Sequence, residues 1–135
     1  MKIYIAARYD RKAEVAAITA RLASVGHLVT STWHLEPHPA NIQITDLAHD
    51  DLRLYAARNL QEIRISDVLL FLAEPLDGMA KRGGRHVEFG YALGLGKSIA
   101  VIGPLENIFH HLVGVYRHVD LASFIKEGND GPDKS

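Results

Sequence analysis

The segment DVLLFLA, Asp67 to Ala73, restricts the possible folds more than any other part of the chain. A continuous apolar run of this length offers water no polar face, so both of its sides must be covered. A strand covered on both sides belongs at the centre of a parallel sheet, and parallel neighbours need helical crossovers between them. The rest of the chain supplies these. KIYIAA (Lys2 to Ala7) reads as a buried strand, and Val15, Ile18, Leu22 and Val25 then fall at helical spacing, with Asp10 placed to cap the helix and Gly26 to end it. HLVTSTW (His27 to Trp33) reads as a second strand, and the loop after it carries Pro37 and Pro39. A longer helix is predicted from about Thr45 to Ile65, with Leu52, Ala56, Leu60 and Ile63 on one stripe. Beyond the central strand come a short helix around Glu88, a strand SIAVIG (Ser98 to Gly103) and a fifth strand near Val115 to Val119.

Alternating strands and helices in a chain of 135 residues predict an α/β domain over 1–126, a flavodoxin- or Rossmann-like open parallel five-stranded sheet with helices on both faces. Residues 127–135 contain no apolar side chain and are assigned to a disordered tail. With 15 Lys+Arg against 16 Asp+Glu the net charge is −1, so the chain carries no basic field of the kind that long nucleic acids or acidic membranes select. The absence of cysteine excludes a disulfide framework, a thiolate metal site and a thiol nucleophile. The N-terminus turns polar too early for a signal peptide and no run approaches spanning length, which predicts a cytoplasmic protein.

Ligands of open parallel sheets bind beyond the carboxyl ends of the strands. That rule brings together Ala7 to Asp10, Trp33 to Glu36, Glu74 to Asp77, Gly103 to Asn107 and the loop DGMAKRGGRHVE. Gly83 and Gly84 precede a helix and free its backbone to approach a ligand, although neither GxGxxG nor a P-loop is present. Glu88 follows in the first turns of that helix, where terminal amides are expected to lower its pKa and keep it ionised. Such a carboxylate either complements the helix dipole or acts as a nucleophile at an anomeric carbon. Gly90, Gly94 and Gly96 read as packing glycines that press the helix onto the sheet. Arg8 reads as a solvated charge or a phosphate ligand, Trp33 as a base-stacking ring or a cap on the core, Tyr4 as a core aromatic, and Asp67 as a turn residue or a polar anchor. The eight histidines include no set with metal-ligand spacing, so no metal is expected.

KIYIAARY, ISDVLLFLAEP, GGRHVEFGYALGLGK and GPLENIFH together resemble the nucleoside 2-deoxyribosyltransferase family, which includes N-glycosidases of nucleoside 5'-monophosphates. The likeness runs from about Lys2 to Phe124 and is most specific at Glu88 to Ala92. It implies that Glu88 is the nucleophile at C1', that Tyr4 positions it, and that Asp67 lies near the base and sugar. It also implies that Arg8, and with it Arg11, contacts phosphate, and that Asn107 is supplied by a neighbouring subunit of a homodimer or homotetramer with shared sites. The transferases carry an acid six residues before the nucleophile, and this chain has Arg82 there. Protonation of the leaving base then falls to another group, such as Asp77 or His86, and the arginine-rich rim favours an anionic substrate. The resemblance therefore implies a cofactor-free N-glycosidase that cleaves a (deoxy)nucleoside 5'-monophosphate through a glycosyl-Glu88 intermediate. Base exchange by a transferase and a catalytically silent nucleotide sensor are the alternatives. Phosphoribohydrolases of the cytokinin type share a glutamate after a double glycine, but their Gly-Thr pair is missing here.

Overall fold

The computed structural model describes residues 1–75, 83–128 and 133–134. The elements are β1 (Lys2–Ala6), α1 (Lys12–Ser24), β2 (Leu28–Val29), α2 (His49–Arg64), β3 (Val68–Leu72), α3 (Gly84–Gly94), β4 (Ser98–Ile102), β5 (Val115–His118), α4 (Leu121–Glu127) and β6 (Asp133–Lys134). The strand order is β2-β1-β3-β4-β5-β6; the first five strands are parallel and β6 pairs antiparallel with β5. The five parallel strands have the order of a flavodoxin-like sheet. Every residue of β3 is buried, as its sequence requires, and Leu69, Leu70 and Phe71 have no exposed surface. Burying each such side chain stabilises the fold by roughly 1.5–3 kcal/mol. The chain crosses from β1 outward to β2 and then returns past β1 to β3, so the reversal of strand order, where such sheets bind ligands, falls between β1 and β3.

Several elements differ from their sequence-based expectation. The second strand has two residues rather than seven. The Thr30 amide still donates to the Ile3 carbonyl at 2.8 Å, but beyond it side chains replace the ladder. The Ile5 amide donates to Ser31 Oγ at 3.1 Å, and Trp33 Nε1 donates to the Ile5 carbonyl at 2.8 Å. The chain is thus free to turn at Trp33–Leu35 while the main-chain groups of β1 stay satisfied. Asp10 does not cap α1; its carboxylate accepts from Arg8 Nη2 at 2.7 Å, and the cap position belongs to Arg11. Gly26 does follow the helix end, at φ 93°. Helix α2 begins at His49, because Ile44–Asp46 closes a separate short turn in which Asp46 accepts from the Gln43 amide at 3.1 Å.

Gly90 and Gly94 of α3, and Gly96 just beyond it, are not packing glycines: a Cβ at any of them would meet nothing within 4 Å, and Gly96 instead turns the chain at φ 75°. Helix α4 was not anticipated, although its signals are present, with Asp120 Oδ1 accepting from the Ser123 amide at 2.9 Å and Gly128 at its end. Glu127 belongs to that helix, and Asp133 and Lys134 lie opposite Arg117 and Tyr116 across the β5 pairing. Part of the segment that composition assigns to a tail is therefore joined to the sheet by main-chain groups, which need no apolar side chain. Among the described residues no helix is long and apolar enough to cross a membrane.

Candidate functional site

Glu88 is the fifth residue of α3, just before the buried Phe89, and it points to the junction of α3 with β1 and α2. Tyr4, fully buried in β1, donates its hydroxyl proton to Glu88 Oε2 at 2.5 Å. From α2 the Asn59 side chain also hydrogen-bonds the Glu88 carboxylate. Asn59 Oδ1 accepts from Arg58 Nη2 at 2.8 Å and Nε at 3.2 Å, which leaves the Asn59 amide N–H group as the donor to Glu88.

The expected lowering of the Glu88 pKa is not what the surroundings produce. Burial of the carboxylate dominates and pushes it up to about 7, against the opposing hydrogen bonds from Tyr4 and Asn59; Glu62 raises it further and Arg58 lowers it. At the fifth helical position the amide of Glu88 is already engaged in the helix, so the unsatisfied terminal N–H groups lie a turn away. Tyr4 is itself driven strongly upward, chiefly by burial, and so remains a protonated donor at any working pH.

Glu88 forms part of the wall of a cleft of about 570 Å³, the size of a small-molecule site. Arg8, Trp33 and Gly84 line the same cleft, as the strand-end rule anticipates. Arg8 reaches toward the end of β3, with Nη1 3.5 Å from Glu74 Oε1 and Nη2 on Asp10. Trp33 is a wall residue: it is buried, its Nε1 is committed to Ile5, and its ring lies 5.8 Å from that of Tyr9. The segment after β2 and helix α2 add an apolar and aromatic part of the lining, Ile42, Ile44, Leu47, Leu52 and Tyr55, with Asn41, Gln43 and Asn59 among them. The stripe predicted on α2 therefore serves two purposes, with Leu60 and Ile63 packing on the core and Leu52 and Ala56 lining the cleft.

Not every candidate arrives there. Asp67 precedes β3 at the amino ends of the strands, is exposed, and accepts from the Lys2 amide at 2.9 Å. It is a tie between β1 and β3 at the opposite end of the strands from the cleft that Glu88 lines. Asp67→Asn is expected to change stability by about 1 kcal/mol or less, measured by thermal unfolding, because only a surface hydrogen bond changes. His86 and Asn107 line a second cavity of about 380 Å³ with Phe89, Gly90, Leu93 and Phe109. His86 Nε2 lies 3.9 Å from Glu106 Oε1, beyond hydrogen-bond distance; burial lowers its pKa, and it does not line the cleft. Asn107 caps its own turn, accepting from the Phe109 amide at 2.9 Å. Gly83 is the exposed residue at the α3 N-cap and does not line the cleft. Arg11 is held between Glu14 and Glu74 and also lies off the cleft lining. Asp77 and Arg82 lie outside the described residues.

Sequence reasoning overlooked the acidic and basic groups behind Glu88. Arg58 pairs with Glu36 through Nη2 and lies 4.0 Å from Glu62. Glu62 accepts from the Thr32 amide at 3.0 Å and from Thr32 Oγ1 at 2.6 Å. Tyr55, Asn59 and Glu62 follow one another at spacings of four and three, a polar stripe beside the apolar one, and that periodicity was the available signal. At the N-terminus of α3, Arg85 is buried against the Phe71 ring and doubly bonded to Glu106, whose Oε2 also accepts from the Glu74 amide at 2.9 Å. This network ties the ends of β3 and β4 to the helix that carries Glu88. Among the described residues no group of three or more His, Asp or Glu is arranged to hold a metal ion.

Solved structures share this fold, two enzymes among them. One is the CMP N-glycosidase BcmB of Clostridium botulinum, 16% identical, with 93% of this chain and 96% of that one covered at a TM-score of 0.58. The other is a 2-deoxyribosyltransferase from Bacillus psychrosaccharolyticus, 18% identical, covering 90% of this chain and 94% of that one at a TM-score of 0.61. No family model and no curated protein matches the chain. At these identities the likeness establishes the α/β architecture, over nearly the whole of both chains.

Proposed function

We propose that the chain is an N-glycosidase that releases the base of a nucleoside 5'-monophosphate through a covalent bond to Glu88. The observation that carries this reading is the Glu88 carboxylate, gripped by Tyr4 and Asn59 in the wall of a cleft large enough for a nucleotide. The cleft offers the Arg8 guanidinium, which a phosphate would share with Asp10 and Glu74, and apolar side chains at Ile44, Leu52 and Tyr55, which suit a phosphate and a base respectively. Ionised Glu88 attacks C1'; the C1'–O bond forms as the C1'–N bond breaks through an oxocarbenium-like transition state. Water then attacks C1' of the ester, which returns Glu88 as a carboxylate and delivers the net proton to the departed base. Neither step calls for a cofactor. Supply of Asn107 by a second copy, in a homodimer or homotetramer, belongs to the same reading.

The test is release of free base from a panel of nucleosides and nucleoside 5'-monophosphates, with and without an acceptor base. Release from monophosphates without acceptor supports hydrolysis, and product formed only with acceptor makes the protein a transferase. Absence of product from every substrate, despite ligand-induced stabilisation, overturns the enzyme reading. Arg8→Ala is expected to lower kcat/KM for a monophosphate about 30-fold, through KM, while leaving the matching nucleoside within about twofold, because a charge-assisted contact is lost only where there is a phosphate to receive it. An equal loss on both substrates would place Arg8 elsewhere than at the phosphate.

A further inference from the structure

We infer that Glu36 reads the base, and that the cleft prefers nucleotides whose base presents an exocyclic amino group, the cytosine and adenine class, over their keto counterparts. The inference rests on the base-releasing reading of Glu88 and adds the identity of the base. Glu36 lines the cleft although its side chain is only 9% exposed. Its Oε1 accepts from the Tyr9 hydroxyl at 3.1 Å, and its Oε2 accepts from Arg58 Nη2. A carboxylate offers about four acceptor positions, and among the described residues two are filled. A nearly buried acceptor with spare capacity facing a ligand cleft selects a donor and penalises an acceptor placed against it.

The position of Glu36 indicates which part of the ligand it meets. The guanidinium of Arg8 reaches toward Glu74, at the end of β3, whereas Glu36 follows β2, on the other side of β1. Arg58 lies 5.3 Å from the centre of the Tyr55 ring and extends to Glu36, so the carboxylate belongs to the aromatic and apolar side of the cleft. A nucleotide with its phosphate at Arg8 and its C1' at Glu88 directs its base to this side. The carboxylate is also fixed before any ligand arrives: Lys12 Nζ donates to the Glu36 carbonyl at 2.6 Å, and Tyr9 and Arg58 hold the side chain. A fixed acceptor discriminates more sharply than one that can swing away.

The experiment compares pairs that differ by one amino-to-keto exchange, cytidine with uridine 5'-monophosphate and adenosine with inosine 5'-monophosphate, each as ribo and deoxy forms. The unsubstituted protein is expected to favour the amino member of a pair by about 10²-fold in kcat/KM, the size of one hydrogen bond to a buried charge. Glu36→Gln, which can present a donor or an acceptor, is expected to bring that ratio below about tenfold, chiefly through KM of the amino substrate. Glu36→Asp keeps the charge but withdraws it by one methylene, and is expected to weaken the preference as well; calorimetric binding of the same pairs to Glu88→Gln reads selectivity without turnover. An unchanged ratio in both Glu36 variants, or a change in the ribo-to-deoxy ratio instead, overturns the inference. Amino-selective binding without release from any nucleotide would sustain it while removing the glycosidase reading, and indiscriminate release would do the reverse.

Discussion

Replacing Glu88 with glutamine is expected to lower base release by a factor on the order of 10⁴ or more, and at pH 8 to make the protein more stable. The first effect follows from the proposed mechanism, because an amide cannot form the glycosyl ester. The second follows from the environment of the carboxylate. Its pKa is raised from the ordinary 4.5 to about 7, so the folded protein holds the proton over a range in which the unfolded chain has released it. Stability therefore falls as the pH rises from about 4.5, and the loss is complete above about 7, where ionised Glu88 costs on the order of 3 kcal/mol. Glutamine does not titrate and escapes this cost. Thermal unfolding should show Glu88→Gln melting about 8 °C above the native protein at pH 8 and nearly level with it at pH 4.5, for a domain of this size. A variant that loses both activity and stability at pH 8 would give Glu88 a packing role instead.

Tyr4→Phe is expected to lower kcat/KM about 10²-fold at pH 7 while keeping the same substrate preferences. The lost bond joins a neutral hydroxyl to a buried carboxylate, and bonds of that kind contribute roughly 1.5–3 kcal/mol. The bond favours the ionised form of Glu88, so its removal drives the Glu88 pKa further up. Native kcat/KM should rise with pH through about 7, and the variant's acidic limb should lie about one pH unit higher, with part of the rate recovered at pH 9. A pH profile that stays in place while the melting temperature drops would reduce Tyr4 to a core aromatic.

The parts of the fold that periodicity encodes were legible in the sequence. The run Val68 to Leu72 had to be central, and the spacing of Val15, Ile18 and Leu22 had to make a helix with one buried face. Glu88, Arg8, Trp33 and Gly84 were also legible, because the ends of parallel strands bring them to one cleft. Asp67 misled because a resemblance in sequence order does not say at which end of a strand an acid sits, and here it lies at the amino end. Asn59, Arg58 and Glu36 stayed hidden for another reason. Each looks like an ordinary surface residue in its own segment, and its role appears only when α2, β1 and the segment after β2 are packed together. The Glu88 pKa was misjudged on the same grounds, since the helix amides are local but the burial is tertiary.

The truncated second strand has a consequence for how the protein behaves among other proteins. An open sheet edge is a template on which a foreign strand can add, and β2 lies on one edge of this sheet. Here that edge offers two residues, and past Ile3 the outward main-chain groups of Ile5 are taken by the hydroxyl of Ser31 and the indole of Trp33. The mouth of the cleft can thus stand open to a small molecule beside an edge that has little left for a polypeptide to grasp. Ser31→Ala, which leaves the buried Ile5 amide without its acceptor, is expected to lower stability by about 1–3 kcal/mol, visible as a lower melting temperature.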